Sequence, residues 1–158
     1  MKVLITMTDL AKFNPDDVLD NIEDLPSFVQ PPTGSYRLFS EKGFEFVDEG
    51  DECFYRITFT CLEILEVKDE LDVARGQVMF NVNDVCSQRW DMNHPMGRGS
   101  FKAAIKCVAE KYGLDPKTTP TSMMVEQSKG LEYLGVMKST WNKDKQKYYS
   151  KIDQIAVL

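Results

Sequence analysis

Between Lys138 and Lys151 the chain reads KSTWNKDKQKYYSK, which sets Lys138, Lys143, Lys145, Lys147 and Lys151 against one acid, Asp144. Trp141, Tyr148 and Tyr149 are interleaved with these lysines. Lysines neutralise phosphates and flat rings stack on unpaired bases, and a groove for single strands needs both. A lysine-rich turn is also a common way to blunt a sheet edge. In a strand, adjacent residues face opposite ways. Tyr149 then shares a side with Lys147 and Lys151 and is expected in the groove, whereas Tyr148 shares a side with Ile152 and is expected in the core. Trp141, near the tip of the hairpin, is either a stacking platform or a lid on the end of the fold, and the surrounding lysines favour stacking.

Two other clusters combine rings with bases. Phe54, Arg56, Thr58 and Thr60 fall on one side of a strand pattern, where Phe54 beside Arg56 would pair stacking with phosphate contact. The competing reading is an ordinary solvent-facing side. Arg89, Trp90 and Arg98 lie in the segment CSQRWDMNHPMGRG, where Trp90 either stacks on a ligand or plugs the core.

Other chemistry finds little support. His94 is the sole histidine, and its spacing of eight from Cys86 matches no zinc signature. The carboxylates Asp16-Asp17, Asp48-Glu49 and Asp51-Glu52 fall in capping or turn contexts, where charge is expected without catalysis. Gly97-Arg98-Gly99-Ser100 ahead of a helix can hold a phosphate, but it lacks the longer lysine-bearing loop of a nucleotide hydrolase. Cys53, Cys61, Cys86 and Cys107 include no C-x-x-C pair and read as reduced thiols. We expect no enzyme activity, no cofactor and no metal.

The elements that must position these residues follow from periodicity. The chain has 158 residues, 42% of them hydrophobic and 28% charged, which fits one globular domain with a core. No apolar run is long enough for a membrane helix, and Asp9 interrupts the N-terminus before any secretory pattern develops. The expected location is therefore the cytoplasm. Residues 1–33 read as an arm, with a helix opening at Asn14-Pro15-Asp16-Asp17 and ending near Leu25-Pro26. Residues 34–158 read as the body. Its strands are expected over 35–47 with a break at Lys42-Gly43, over 53–67, over 77–85 on the alternation Val78, Phe80, Val82, over 131–140, and over 147–157. Residues 86–99 read as a loop because two glycines and a proline fall there. A helix capped by Ser100 carries Phe101, Ala104, Ile105, Val108 and Tyr112 and stops at Gly113. A short second helix is expected over 121–129. This order, mainly β with a helix between the third and fourth of five strands, is that of an oligonucleotide-binding (OB) barrel, which binds single strands across strands two and three.

The chain resembles the phage-encoded single-stranded DNA-binding proteins of the OB fold. The resemblance lies in Pro32-Thr33-Gly34-Ser35-Tyr36 at the entry to the first strand, and in a long second strand leading through an acidic loop to Gly76. It continues in Leu134-Gly135-Val136, followed by a lysine-rich turn and Tyr148-Tyr149-Ser150-Lys151-Ile152. It implies sequence-independent binding of single-stranded DNA in the host cytoplasm during phage replication or recombination, with replication or recombination proteins as further partners. Many members recruit such partners through an acidic tail closed by an aromatic residue. The last six residues here, DQIAVL, carry one acid and no terminal aromatic. Residues 1–80 carry 7 Lys or Arg against 17 Asp or Glu, and residues 81–158 carry 12 against 8. Partner recruitment then either lies elsewhere, with the acidic N-terminal half as the candidate side, or is absent. The expected DNA contacts are Phe54, Arg56, Arg89, Trp90, Arg98, Lys138, Trp141, Lys143, Lys145, Lys147, Tyr149 and Lys151. The alternative function is an interaction module that grips a host protein through the acidic half.

Overall fold

The computed structural model describes residues 28–68 and 70–158. The helix expected over residues 14–25 lies outside them. Among the described residues there are six strands: β1 Gly34–Ser40, β2 Glu45–Glu49, β3 Glu52–Val67, β4 Val85–Asp91, β5 Leu131–Asn142 and β6 Lys147–Val157. Two helices, α1 Pro95–Tyr112 and α2 Thr121–Gln127, lie between β4 and β5. The strands form one antiparallel sheet in the order β2-β3-β1-β5-β6, with β4 also on β3.

β3 organises the sheet. Ile57, Phe59 and Cys61 point into the core, as the period of two requires. Its C-terminal half pairs with β1 and its first residues pair with β2, so those two strands lie end to end along one edge. β4 takes the opposite edge, pairing from Phe54↔Asp91 to Thr60↔Val85. The break between β1 and β2 falls at Lys42-Gly43, as expected. Gly43 has φ 62°, and a Cβ there would collide with Ser128. Buried Ser40 and Ser128 accept the backbone N–H groups of Gly43 and Phe44 at 3.0 and 2.9 Å, so the kink leaves neither donor unpaired.

The core joins Tyr36, Leu38, Phe44, Ile57, Phe59, Phe80 and Tyr133 of the sheet side to Phe101, Ile105 and Val108 of α1. Burial pushes the phenols of Tyr36 and Tyr133 up, and each donates to a main-chain carbonyl, Pro32 O at 2.8 Å and Ser128 O at 2.7 Å. The four cysteines are free.

Three expectations need correction. First, the strand expected over 77–85 is a loop, and β4 follows it. Val78 and Val82 are 54% and 53% exposed, and only Phe80 of that alternation is buried. The loop closes at Asp84, whose carboxylate accepts Asn81 N–H at 2.8 Å, with Asn83 at φ 75°. The inward positions of the true strand are Cys86 and Trp90, with polar residues between them.

Second, α1 starts at Pro95, not after Ser100. His94 is the N-cap and its Nδ1 accepts Met96 N–H at 3.3 Å, with Pro95 at the first helical position. Gly97 belongs to this first turn because a Cβ would strike the Asp91 carbonyl at the end of β4.

Third, a closed five-stranded barrel is not formed. The expected first strand is two strands, and β4 and β6 share no ladder. Gln88 Oε1 accepts Ile152 N–H at 3.2 Å across the opening. Residues 28–31 also link the two edges. Val29 N–H donates to Val85 O at 2.8 Å, Gln30 Oε1 accepts Ser150 N–H at 2.8 Å, and Ser150 Oγ donates to Pro31 O. No helix among the described residues is long and apolar enough to cross a membrane.

Candidate nucleic-acid interface

The register of the β5–β6 hairpin sorts its side chains. Lys138 is opposite Lys151, Thr140 opposite Tyr149, and Asn142 opposite Lys147. Residues directly opposite one another share a face, so three lysines and Tyr149 stand together. Ser139↔Ser150 and Trp141↔Tyr148 occupy the other face. That second face continues into the core through Met137↔Ile152, so the lysine face points outward. At the tip, Asn142 Oδ1 accepts the N–H groups of Asp144 and Lys145, both at 3.0 Å, which leaves the Lys143 and Lys145 side chains in solvent. None of the five lysines forms an ion pair among the described residues. Like charges directly opposite in a sheet are destabilising. Lys138 opposite Lys151 is therefore a cost that an anionic ligand would offset. Tyr149, 40% exposed, supplies a ring in the middle of this face.

Trp141 is on the opposite side of the hairpin from Tyr149. It meets Tyr148 edge to face at 5.1 Å, and the Arg75 guanidinium lies 4.7 Å from its ring centroid. Tyr148 is half-buried instead of core, and its hydroxyl donates to Asp72 Oδ2 at 2.7 Å. That bond to a carboxylate holds the Tyr148 proton and moves its pKa up. Asp72 precedes and Arg75 ends a 3-10 turn over Val73–Arg75, and Arg75 reaches back to Asp72 at 3.7 Å. Gln77 accepts Asp72 N–H through Oε1 at 2.9 Å and donates through Nε2 to Ser139 Oγ at 3.3 Å. The loop after β3 is thus tied onto the hairpin. A cavity of about 550 Å³ opens between Ala74 and Arg75 on one side and Trp141, Lys143 and Gln146 on the other. Sequence reading missed Asp72 and Arg75, since nothing local links residues 72–75 to a hairpin some 70 positions later.

The outward face of β3 and β4 is built differently. Arg56 and Arg89 are cross-strand neighbours. Each has a carboxylate partner, Glu45 at 3.5 Å and Glu52 at 3.6 Å. The Arg89 guanidinium covers the Phe54 ring at 3.6 Å, leaving Phe54 6% exposed. The expected stacking role of Phe54 is therefore corrected: its ring is buried. Trp90 is corrected as well. It is 6% exposed and packs against Phe44 at 5.6 Å and Phe101 at 5.8 Å, so it plugs the core. Arg98 sits in the first turn of α1 and donates through Nε to Met92 O, just beyond the end of β4. Beside Arg56 a groove of about 410 Å³ runs over Thr58, Thr60 and Ser87, with Phe28 and Phe39 at its edges.

Lys138, Lys147, Lys151 and Tyr149 are thus brought together, with Lys143 and Lys145 at the adjoining tip and Trp141 behind it. No cluster of three or more metal-ligating side chains occurs among the described residues. Compared with known proteins, the chain matches no family model and no curated sequence.

Proposed function

We propose that the protein binds single-stranded DNA without sequence preference, in support of phage DNA replication or recombination. The observation that carries this reading is the outward face of the β5–β6 hairpin. It holds Lys138, Lys147 and Lys151, without carboxylate partners among the described residues, around the exposed ring of Tyr149. Lysine heads bind phosphate as point charges, and a tyrosine ring accepts any base. Neither reads a base edge.

The strand order supports an OB-type scaffold. If β1 and β2 are read as one bent strand, its neighbours are β3 and β5, with β4 on the far edge of β3 and β6 on the far edge of β5. The helices then fall between the third and fourth strands. The OB barrel is partly open and uses the turn between strands four and five at its binding face. Here that turn carries Lys143 and Lys145. The Val29 and Pro31 backbone and the Gln30 side chain bridge the open seam.

Fluorescence anisotropy of a labelled oligo(dT) against the full chain tests the reading. Binding should weaken steeply as salt rises. Absence of binding at 20 mM salt would remove it.

A further inference from the structure

We infer that the cavity between Arg75 and Trp141 is a base clamp: one nucleobase enters it and is held between the indole ring and the guanidinium plane. This rests on the single-strand reading above and extends it to the rear face of the hairpin.

The Arg75 guanidinium lies over the Trp141 ring at 4.7 Å from its centroid, and Trp141 and Tyr148 meet in a T-shaped contact at 5.1 Å. The guanidinium in place is planar, cationic and over half exposed, and an exposed cation–π contact is weak. The space around it, lined by Ala74, Lys143 and Gln146, is large enough for a base. A base stacked on both partners needs roughly 7 Å between them, twice the ~3.4 Å rise of stacked bases. The guanidinium must therefore lift by roughly 2 Å, within the freedom of a long, half-exposed side chain. The turn that carries it need not move. Asp72 is anchored by Tyr148 at 2.7 Å, Gln77 is anchored by Ser139 at 3.3 Å, and Gly76 ends the turn at φ 81°. The result is an exposed flat cation on a fixed mount, facing a half-buried indole and held otherwise by Asp72 at 3.7 Å. Lys143, on the same cavity wall, is placed for the phosphate of the clamped nucleotide. A strand following the hairpin would lie on Tyr149 and its lysines in front, cross the Lys143–Lys145 tip, and end with one base behind.

The experiment uses the full chain with oligo(dT), reading anisotropy and tryptophan fluorescence in the same titration. Trp90 is buried, so Trp141→Phe gives its background signal. DNA should quench the Trp141 component, and Trp141→Ala should weaken binding roughly 5- to 100-fold. Arg75→Ala should weaken binding roughly 2- to 5-fold, the loss of one cation–π contact. Arg75→Lys keeps the charge but not the plane, so it should retain the wild-type salt slope while losing about as much affinity as Arg75→Ala. Wild-type affinity in Arg75→Lys, tighter binding in Arg75→Ala, or binding without Trp141 quenching would overturn the clamp and leave the single-strand reading standing. No change in anisotropy at all would overturn both. Arg75 is exposed, and unchanged far-ultraviolet circular dichroism would show that its variants fold.

Discussion

Replacing Lys138, Lys147 and Lys151 together by Gln is the perturbation that bears most directly on the proposed interface. All three are exposed, on one face, and unpaired among the described residues, so the substitutions remove charge without breaking a structural contact. Each phosphate neutralised on a single strand contributes roughly 0.7 to the slope of log affinity against log salt. Three contacts contribute roughly 2. Between 50 and 200 mM salt, a fourfold change, that difference corresponds to roughly 18-fold less loss of affinity in the variant than in the wild type. The assay is the oligo(dT) titration repeated at four salt concentrations. Arg89→Gln is the internal contrast, because Arg89 already has Glu52 at 3.6 Å and lies over Phe54, and its slope should change by well under one contact. If the triple variant keeps the wild-type slope, or if Arg89→Gln changes it more than the three lysines do, the hairpin face is not the phosphate path.

Trp90→Ala should cost about 3–5 kcal/mol of stability, the usual result of emptying a buried aromatic site; a urea-unfolding loss under 1 kcal/mol would contradict its place against Phe44 and Phe101. Gly43→Ala should destabilise by more than about 1 kcal/mol, because φ 62° is strained for alanine and Ser128 occupies the space, and a thermal midpoint equal to wild type would refute that account of the kink. Burial pushes the Cys86 and Cys107 thiols up to about 12 from an ordinary value of 9.0. Both values are raised in the folded state, so their contribution is intact below pH 9 and is lost as pH rises from there toward 12. Urea midpoints should fall over that window, and less so in Cys86→Ala. At pH 8, Ellman's reagent should label half-buried Cys53 first and the three buried thiols only on unfolding, and rapid labelling of all four would show that the core is open.

What was legible in the sequence was local. The alternation of β3, the glycine break between β1 and β2, the stop of α1 at Gly113 with φ 63°, and the final hairpin each depend on residues within a few positions of one another. β4 was misread because its inward pattern is only Cys86 and Trp90, whereas the loop before it happens to alternate Val78, Phe80 and Val82. The start of α1 was hidden by Gly97 and Gly99, since the need for Gly97 arises from a strand end packed against the helix. The site divides the same way. That Tyr149 shares a face with Lys147 and Lys151 follows from a period of two. That Trp141 lies behind them requires the register Trp141↔Tyr148, which the length of the turn sets. The covering of Phe54 by Arg89 and of Trp141 by Arg75 depends on pairings that no local pattern encodes.

The two ring-and-cation surfaces differ in what they have left to offer a ligand. On β3–β4 the arginines are committed to carboxylates and to Phe54, so DNA would have to displace contacts already made. On the hairpin the ammonium groups have no carboxylate partner among the described residues, so a phosphate there displaces none of the contacts described and releases counterions. The acids elsewhere do not cancel this, because a Debye length of about 8 Å at physiological salt confines each field to its neighbourhood. Lys147 and Lys151 are four residues apart on one strand, roughly 13 Å, and Lys138 stands directly beside Lys151. They act as one local patch on a chain whose total charge is −6. Such a patch attracts any polyanion; it is Tyr149 in front and Trp141 behind that would favour unpaired bases over a duplex, whose bases are already stacked on one another.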